Sequence, residues 1–316
     1  MPVWLVFQLA LVIELVTWAA LAIGVVHLGG LGPASAFALW LLLPLSARAL
    51  VLAFGVVQSR RHGVRLAPAE RLDCGGWCRY LAGEWLPLCL HPLLQLPFPW
   101  LYRSRCDRGR DLDRDGPVVL LQHGYSHNGA VWWATVRALE RRGYRVFTID
   151  QPFWEDIDRM AERLAARIEA VSAAAAVDRL TLVAHSMGGL IARAYLRRHG
   201  ADRLDALITI GSPHHGTRLA RLAIGPNGRQ MRPCSPWLDA LNRSPLPQGL
   251  TVVSIWSVHD TIVVPQDSAR LPGAVDVRMH GTGHVAQPAG RATRRELLRH
   301  LPPVGEGSSQ ALGQNL

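Results

Sequence analysis

The chain of 316 residues contains no lysine, so all 34 of its basic side chains are arginine. A formal charge of +10 ordinarily raises nucleic acid as a partner. Here the arginine bias points to codon preference rather than a phosphate-binding face, and no recognition motif accompanies the charge, so no nucleic-acid partner is expected. The five cysteines, Cys74, Cys78, Cys89, Cys106 and Cys234, are odd in number, which excludes a complete disulfide framework. Cys74 and Cys78 lack a second Cys/His pair at ligand spacing, so no zinc site is expected, and the cysteines read as small apolar fillers. The N-terminus has no positive stretch and no small-residue cleavage site, so its apolar run is not a removed signal peptide. No internal repeat is visible.

Apolar length is abundant, since 49% of the residues are hydrophobic. Residues 3–26 and 36–57 are each long enough to cross a bilayer core of about 30 Å at about 1.5 Å per residue. A Gly-rich turn joins them, which predicts a transmembrane helical hairpin over residues 1–59. Each run carries one charge, Glu14 and Arg48, and an antiparallel hairpin brings the two to matching depth, where they can pair. Arg60, Arg61, Arg65 and Arg71 crowd the far end of the second run. Positive-inside reasoning therefore predicts a multi-pass protein of a bacterial inner membrane with its catalytic region in the cytoplasm.

Residues 60–116 form a linker. Its Trp/Leu/Pro-rich part (77–102) is expected to lack an uninterrupted helix because of its prolines, and to lie either at the lipid interface or against the globular part. From 117 to 304, strands alternate with helices, which predicts a mostly parallel sheet covered on its faces. The expected strands are 117–123, 144–149, 179–185, 205–211, 250–256 and 274–280, and the helices lie near 129–142, 156–176, 187–199 and 291–301. Residues 305–316 have the composition of a disordered tail.

The motif Ala184-His185-Ser186-Met187-Gly188 lies between an apolar strand and a helix. A serine hydroxyl is a weak nucleophile until a base takes its proton, and a sharp strand-to-helix turn exposes it to one. Ser186 is therefore the candidate nucleophile. Asp260 follows the fifth strand, with Asp267 as the competing acid. His284, in Gly281-Thr282-Gly283-His284, follows the last strand, with His280 as its competitor. His284 would act as general base and then acid, with Asp260 fixing its tautomer. The adjacent His214 and His215 point apart in most backbones and are not read as metal ligands.

The sequence AHSMGG resembles the nucleophile elbow of bacterial triacylglycerol lipases and of GPI inositol-deacylase-like hydrolases, over roughly residues 117–290. LITIGSPHHGT (207–217) and MRPCSPWLDALN (231–242) resemble stretches after the nucleophile helix in those enzymes. The resemblance implies an α/β-hydrolase fold and the order nucleophile, acid, histidine. It also implies an oxyanion hole from the backbone N–H groups of Tyr125, in His123-Gly124-Tyr125, and of Met187. His123, Gly124 and His185 are then expected to touch substrate, and no cofactor or metal is expected. The expected activity is hydrolysis of a lipid-like carboxylic ester at a membrane through an acyl-serine intermediate. Acyl transfer or thioester cleavage would use the same three residues, and a catalytically inactive membrane interaction protein is the reading from another class.

Overall fold

Six runs rich in Val, Ile and Leu pair as one parallel sheet in the order β2-β1-β3-β4-β5-β6. The computed structural model describes residues 3–30 and 32–305, so the tail expected at 305–316 falls outside them from residue 306 onward. The strands are β1 (Val118–Gln122), β2 (Arg145–Ile149), β3 (Leu180–His185), β4 (Leu204–Ile210), β5 (Thr251–Ser257) and β6 (Val275–Met279). β1 and β3 are buried along their whole length, because a parallel sheet is covered on both faces and its central strands need apolar residues on each side. Side-chain alternation then sends Val118 and Leu120 to one core and Val119 and Leu121 to the other.

The first core is closed by two long helices, α5 (Ile157–Ala175) and α6 (Met187–His199). Asp156 starts α5 by accepting the Arg159 N–H at 2.9 Å, a cap worth about 1 kcal/mol. The second core is closed by α4 (Trp133–Glu140) and α7 (Arg291–His300). Phe7, from a helix far upstream, is buried in that same core. The expected strands and helices match these elements to within a residue or two, except that 129–132 is a 3-10 turn leading into α4.

Two N-terminal helices, α1 (Val3–Gly29) and α2 (Pro33–His62), are long and apolar enough to cross a membrane, with mean hydropathy 2.4 and 2.0 over their best windows. Much of their surface is bare apolar side chain, with Ile13, Val16, Ile23 and Leu50 all more than half exposed. Arg48 on α2 meets the Glu14 carboxylate on α1, the pairing expected from their depths.

In the linker, α3 runs Cys74–Leu90 through Pro87 and gives way at Pro92 to a π-helical turn, His91–Gln95, so residues 77–102 hold no uninterrupted helix, as their prolines imply. Proline at 92 has no N–H to give the Leu88 carbonyl. Arg48 Nε supplies that bond at 3.1 Å instead, and Trp85 Nε1 donates to Leu45 O at 3.3 Å. α3 is thus bonded to α2 on one side, while Leu81 and Leu86 on it stay exposed. The cysteine reading needs correction. Cys89 and Cys106 are buried, whereas Cys74, Cys78 and Cys234 are exposed, and all five are free.

Candidate active site

β1 and β3 are neighbours, with Gln122 opposite Ala184, so the loops leaving their C-terminal ends emerge side by side. This is the point where strand order reverses and where open α/β sheets bind ligands. β3 ends at His185, and α6 begins at Met187. Ser186, held between them at φ 56° and ψ −129°, occupies a backbone region that costs about 1–3 kcal/mol for a side-chain-bearing residue. Such strain persists where neighbouring structure over-determines it, and here it aims the hydroxyl out of the turn.

His284 Nε2 lies 2.9 Å from Ser186 Oγ, and His284 Nδ1 lies 2.7 Å from Asp260 Oδ2. The three residues expected to act together are thus joined in one hydrogen-bonded chain, although 98 residues separate the serine from the histidine. Asp260 is fixed on every side. Its Oδ1 accepts the N–H groups of Ile262 and Val263, each at 2.8 Å, and Gln287 Nε2 donates to Oδ2 at 3.0 Å. The two competitors stand outside, since Asp267 and His280 are both exposed.

Burial by itself would push the His284 imidazole down. The Asp260 charge and hydrogen bond, with Glu84 adding to them, outweigh burial and hold its pKa above the ordinary imidazole value. The chain of contacts can therefore draw the hydroxyl proton towards a ring whose charged form is well supported.

The two residues whose backbone N–H groups are expected to form the oxyanion hole lie next to the serine or to the loop pressed on it. Met187 N–H opens α6, where the first turn has no intrahelical acceptor for it. Gly124 presses against the serine so closely that a Cβ there would sit 2.7 Å from Ser186 Cβ, and Tyr125 follows directly. Tyr125 also ties this loop to the Ile224 backbone, with Oη donating to Ile224 O at 2.9 Å.

The two histidines expected to touch substrate are used elsewhere. His123 is fully buried, its Nε2 accepting the Gln151 N–H at 2.9 Å and its Nδ1 lying 2.8 Å from Gly124 O, so it braces the loop. The His185 ring packs 4.7 Å from the His284 ring, with Nε2 at 3.2 Å from His284 O. The side chains that line the space beside Ser186 are apolar instead. Val51 and Phe54 come from α2, Leu219, Ala223 and Met231 from the segment after β4, and Ile262 and Val263 from the acid loop, around a cavity of about 260 Å³. α2 rides on the acid loop through Gly55, where a Cβ would stand 3.0 Å from Thr261 Cβ.

Two further residues of the site carried no local signature in the sequence. Gln287, three residues after His284, is completely buried against Asp260. Glu84, on α3, is completely buried and accepts the N–H groups of Val285 and Ala286 at 3.2 and 2.8 Å. A lone acid inside the apolar run YLAGEWLPLCL is the one hint the sequence offered.

Six parallel strands with helices on both faces and a serine at the strand-to-helix turn after β3 define an α/β-hydrolase fold. Residues 117–228 match the family described as alpha/beta hydrolase fold, a stretch that ends before Asp260 and His284. A pimeloyl-[acyl-carrier protein] methyl ester esterase of Vibrio atlanticus is 34% identical over 105 residues, 31% of this chain and 37% of that protein. A non-heme chloroperoxidase of Kitasatospora aureofaciens is 31% identical over 112 residues, 33% of this chain and 39% of that protein. The chain thus spans under half the length of these curated relatives. Among solved structures, the mature Bacillus licheniformis lipase BlEst2 aligns with TM-score 0.53 and 18% identity, over 59% of this chain and 92% of that one. That likeness is one of fold.

Proposed function

We propose that the protein is a membrane-anchored serine hydrolase that cleaves carboxylic esters of apolar acyl chains. The observation that carries this reading is the hydrogen-bonded series Ser186 Oγ, His284 Nε2, His284 Nδ1, Asp260 Oδ2 at 2.9 and 2.7 Å, opening onto a cavity whose walls are almost entirely apolar. In this mechanism His284 takes the Ser186 proton as Oγ attacks the ester carbonyl. The carbonyl oxygen becomes an oxyanion facing the Tyr125 and Met187 N–H groups, preorganised donors of the kind worth about 3–4 kcal/mol each. His284 then gives its proton to the leaving alcohol. Water, deprotonated by the same ring, releases the acid from the acyl-serine and restores the hydroxyl.

The substrate class follows from the walls. Val51, Phe54 and Leu222, which line the cavity, expose 57%, 45% and 69% of their surface, and a cavity of about 260 Å³ is at the small end for a bound ligand. A long acyl chain fills it and continues outward along α2. If α1 and α2 span a bilayer, Gly55 lies about 8 Å along the helix from Arg60 at about 1.5 Å per residue. The serine then sits near the level of lipid ester groups, on the arginine-rich and hence cytoplasmic side.

A series of p-nitrophenyl esters given to the detergent-solubilised chain tests the reading. We expect covalent labelling of Ser186 by a fluorophosphonate, and kcat/KM rising with acyl length until the cavity is filled. Lack of labelling in folded protein would defeat the enzyme reading, and a sharp preference for acetate over longer esters would defeat the apolar-acyl part. Within the same series, Phe54→Ala should lower kcat/KM for long chains by about tenfold while leaving acetate nearly unchanged, in line with about 1–3 kcal/mol for a wall side chain of this size.

A further inference from the structure

Burying a carboxylate without a cation is expensive unless hydrogen bonds hold it. Glu84 is such a group: it is completely buried, and its hydrogen bonds come from two backbone N–H groups, those of Val285 and Ala286 immediately after His284. Gly283, just before the histidine, is pressed so tightly on this carboxylate that a Cβ would come within 2.2 Å of Glu84 Cδ. One side chain from α3 therefore grips the His284 loop on both sides of the ring, across 200 residues of sequence. α3 is itself anchored, with Tyr80 Oη donating to His259 O at 2.7 Å in the acid loop and Arg48 and Trp85 bonding it to α2.

We propose that Glu84 is a positioning residue, which fixes the histidine loop and, in its ionised form, stabilises the imidazolium that forms on His284 during acyl transfer. The inference rests on the hydrolase reading above. Two carboxylates then share the work on one ring: Asp260 sets its tautomer by direct contact, and Glu84 sets the loop's height and adds negative charge nearby. Burial pushes the Glu84 carboxyl up to about 7 against the pull of its two N–H donors, while its charge raises His284. The other titratable groups around the pair are Asp260, His185, His127 and Tyr80. His185 and His127 are held low by burial and stay neutral through the range in which His284 titrates.

The test uses the full detergent-solubilised chain and a short p-nitrophenyl ester. Glu84→Gln keeps size and removes charge, and we expect kcat to fall by about 10–100-fold, the cost of a small misplacement of a reacting group. The acid limb of kcat/KM should move to lower pH, because the ionised fraction of Glu84 supports the protonated ring and its loss lowers the pKa of the ring. Gly283→Ala should cost a similar factor by itself but little more once Glu84→Ala has removed the obstacle, a coupling that a double-mutant cycle reads directly. An unmoved acid limb, with or without lost activity, or additive effects of Gly283→Ala and Glu84→Ala, would overturn the proposal. The Ser186→Ala chain separates this outcome from failure of the hydrolase reading: if it still turns over substrate, the reading itself fails.

Discussion

Ser186→Ala is expected to remove turnover by about 10^6-fold, and Asp260→Asn by about 10^4-fold, with the protein folded in both cases. The serine variant deletes only the attacking oxygen and keeps the Cβ that fills the turn, so thermal stability should stay close to that of the parent. The aspartate variant acts differently. Asp260 meets donors on both oxygens, from Ile262 and Val263 on one side and from His284 and Gln287 on the other. An asparagine must turn its NH₂ towards one of these sets, and whichever it faces loses an acceptor. Facing His284, it favours the tautomer with its proton on Nε2, pointing at Ser186 and useless as a base. Facing the loop, it leaves two buried N–H groups unpaired at about 1–3 kcal/mol each. A drop in kcat with a modest fall in Tm is therefore expected. Steady-state kinetics beside a thermal melt checks both, and a variant within tenfold of the parent would mean that Asp260 does not orient the ring.

The hydrogen-bonded series of Ser186, His284 and Asp260 was legible because each residue follows a strand, and a parallel sheet carries strand ends to one edge whatever the length of the intervening chain. Position along the sequence thus stood in for position in space. Substrate contact at His123 and His185 is what the resemblance implies. Their true surroundings depend on packing between β1, β3 and the histidine loop, which no local pattern encodes. Glu84 escaped for the same reason, since its partners lie 201 and 202 residues away. The prolines of the linker mark where its helix is interrupted, but not that the carbonyl Pro92 leaves unpaired is satisfied from outside by a neighbouring helix, because that donor lies 40 residues away.

That outside donor carries the second large prediction. Arg48 donates to Leu88 O, to Pro44 O at 3.0 Å and to the Glu14 carboxylate, so one guanidinium joins α1, α2 and the proline-interrupted end of α3. Arg48→Leu strands the Glu14 charge in an apolar helix and frees the Leu88 carbonyl together. An unpaired charge near the middle of an apolar span costs about 2.5–3.5 kcal/mol on insertion scales, and a detergent unfolding midpoint should fall accordingly. Glu14→Gln in the same chain should recover part of the loss, since it removes the stranded charge while the Leu88 carbonyl stays unpaired. The two effects must therefore be non-additive, and equal stability of the single and double variants would rule out the pair. Leu88 lies one helical turn beyond Glu84, so loosening this end of α3 also loosens the carboxylate that holds the His284 loop. Arg48→Leu should then lower kcat for a short soluble ester even though no atom of Arg48 lines the cavity, linking the apolar hairpin to the chemistry through a rigid helix.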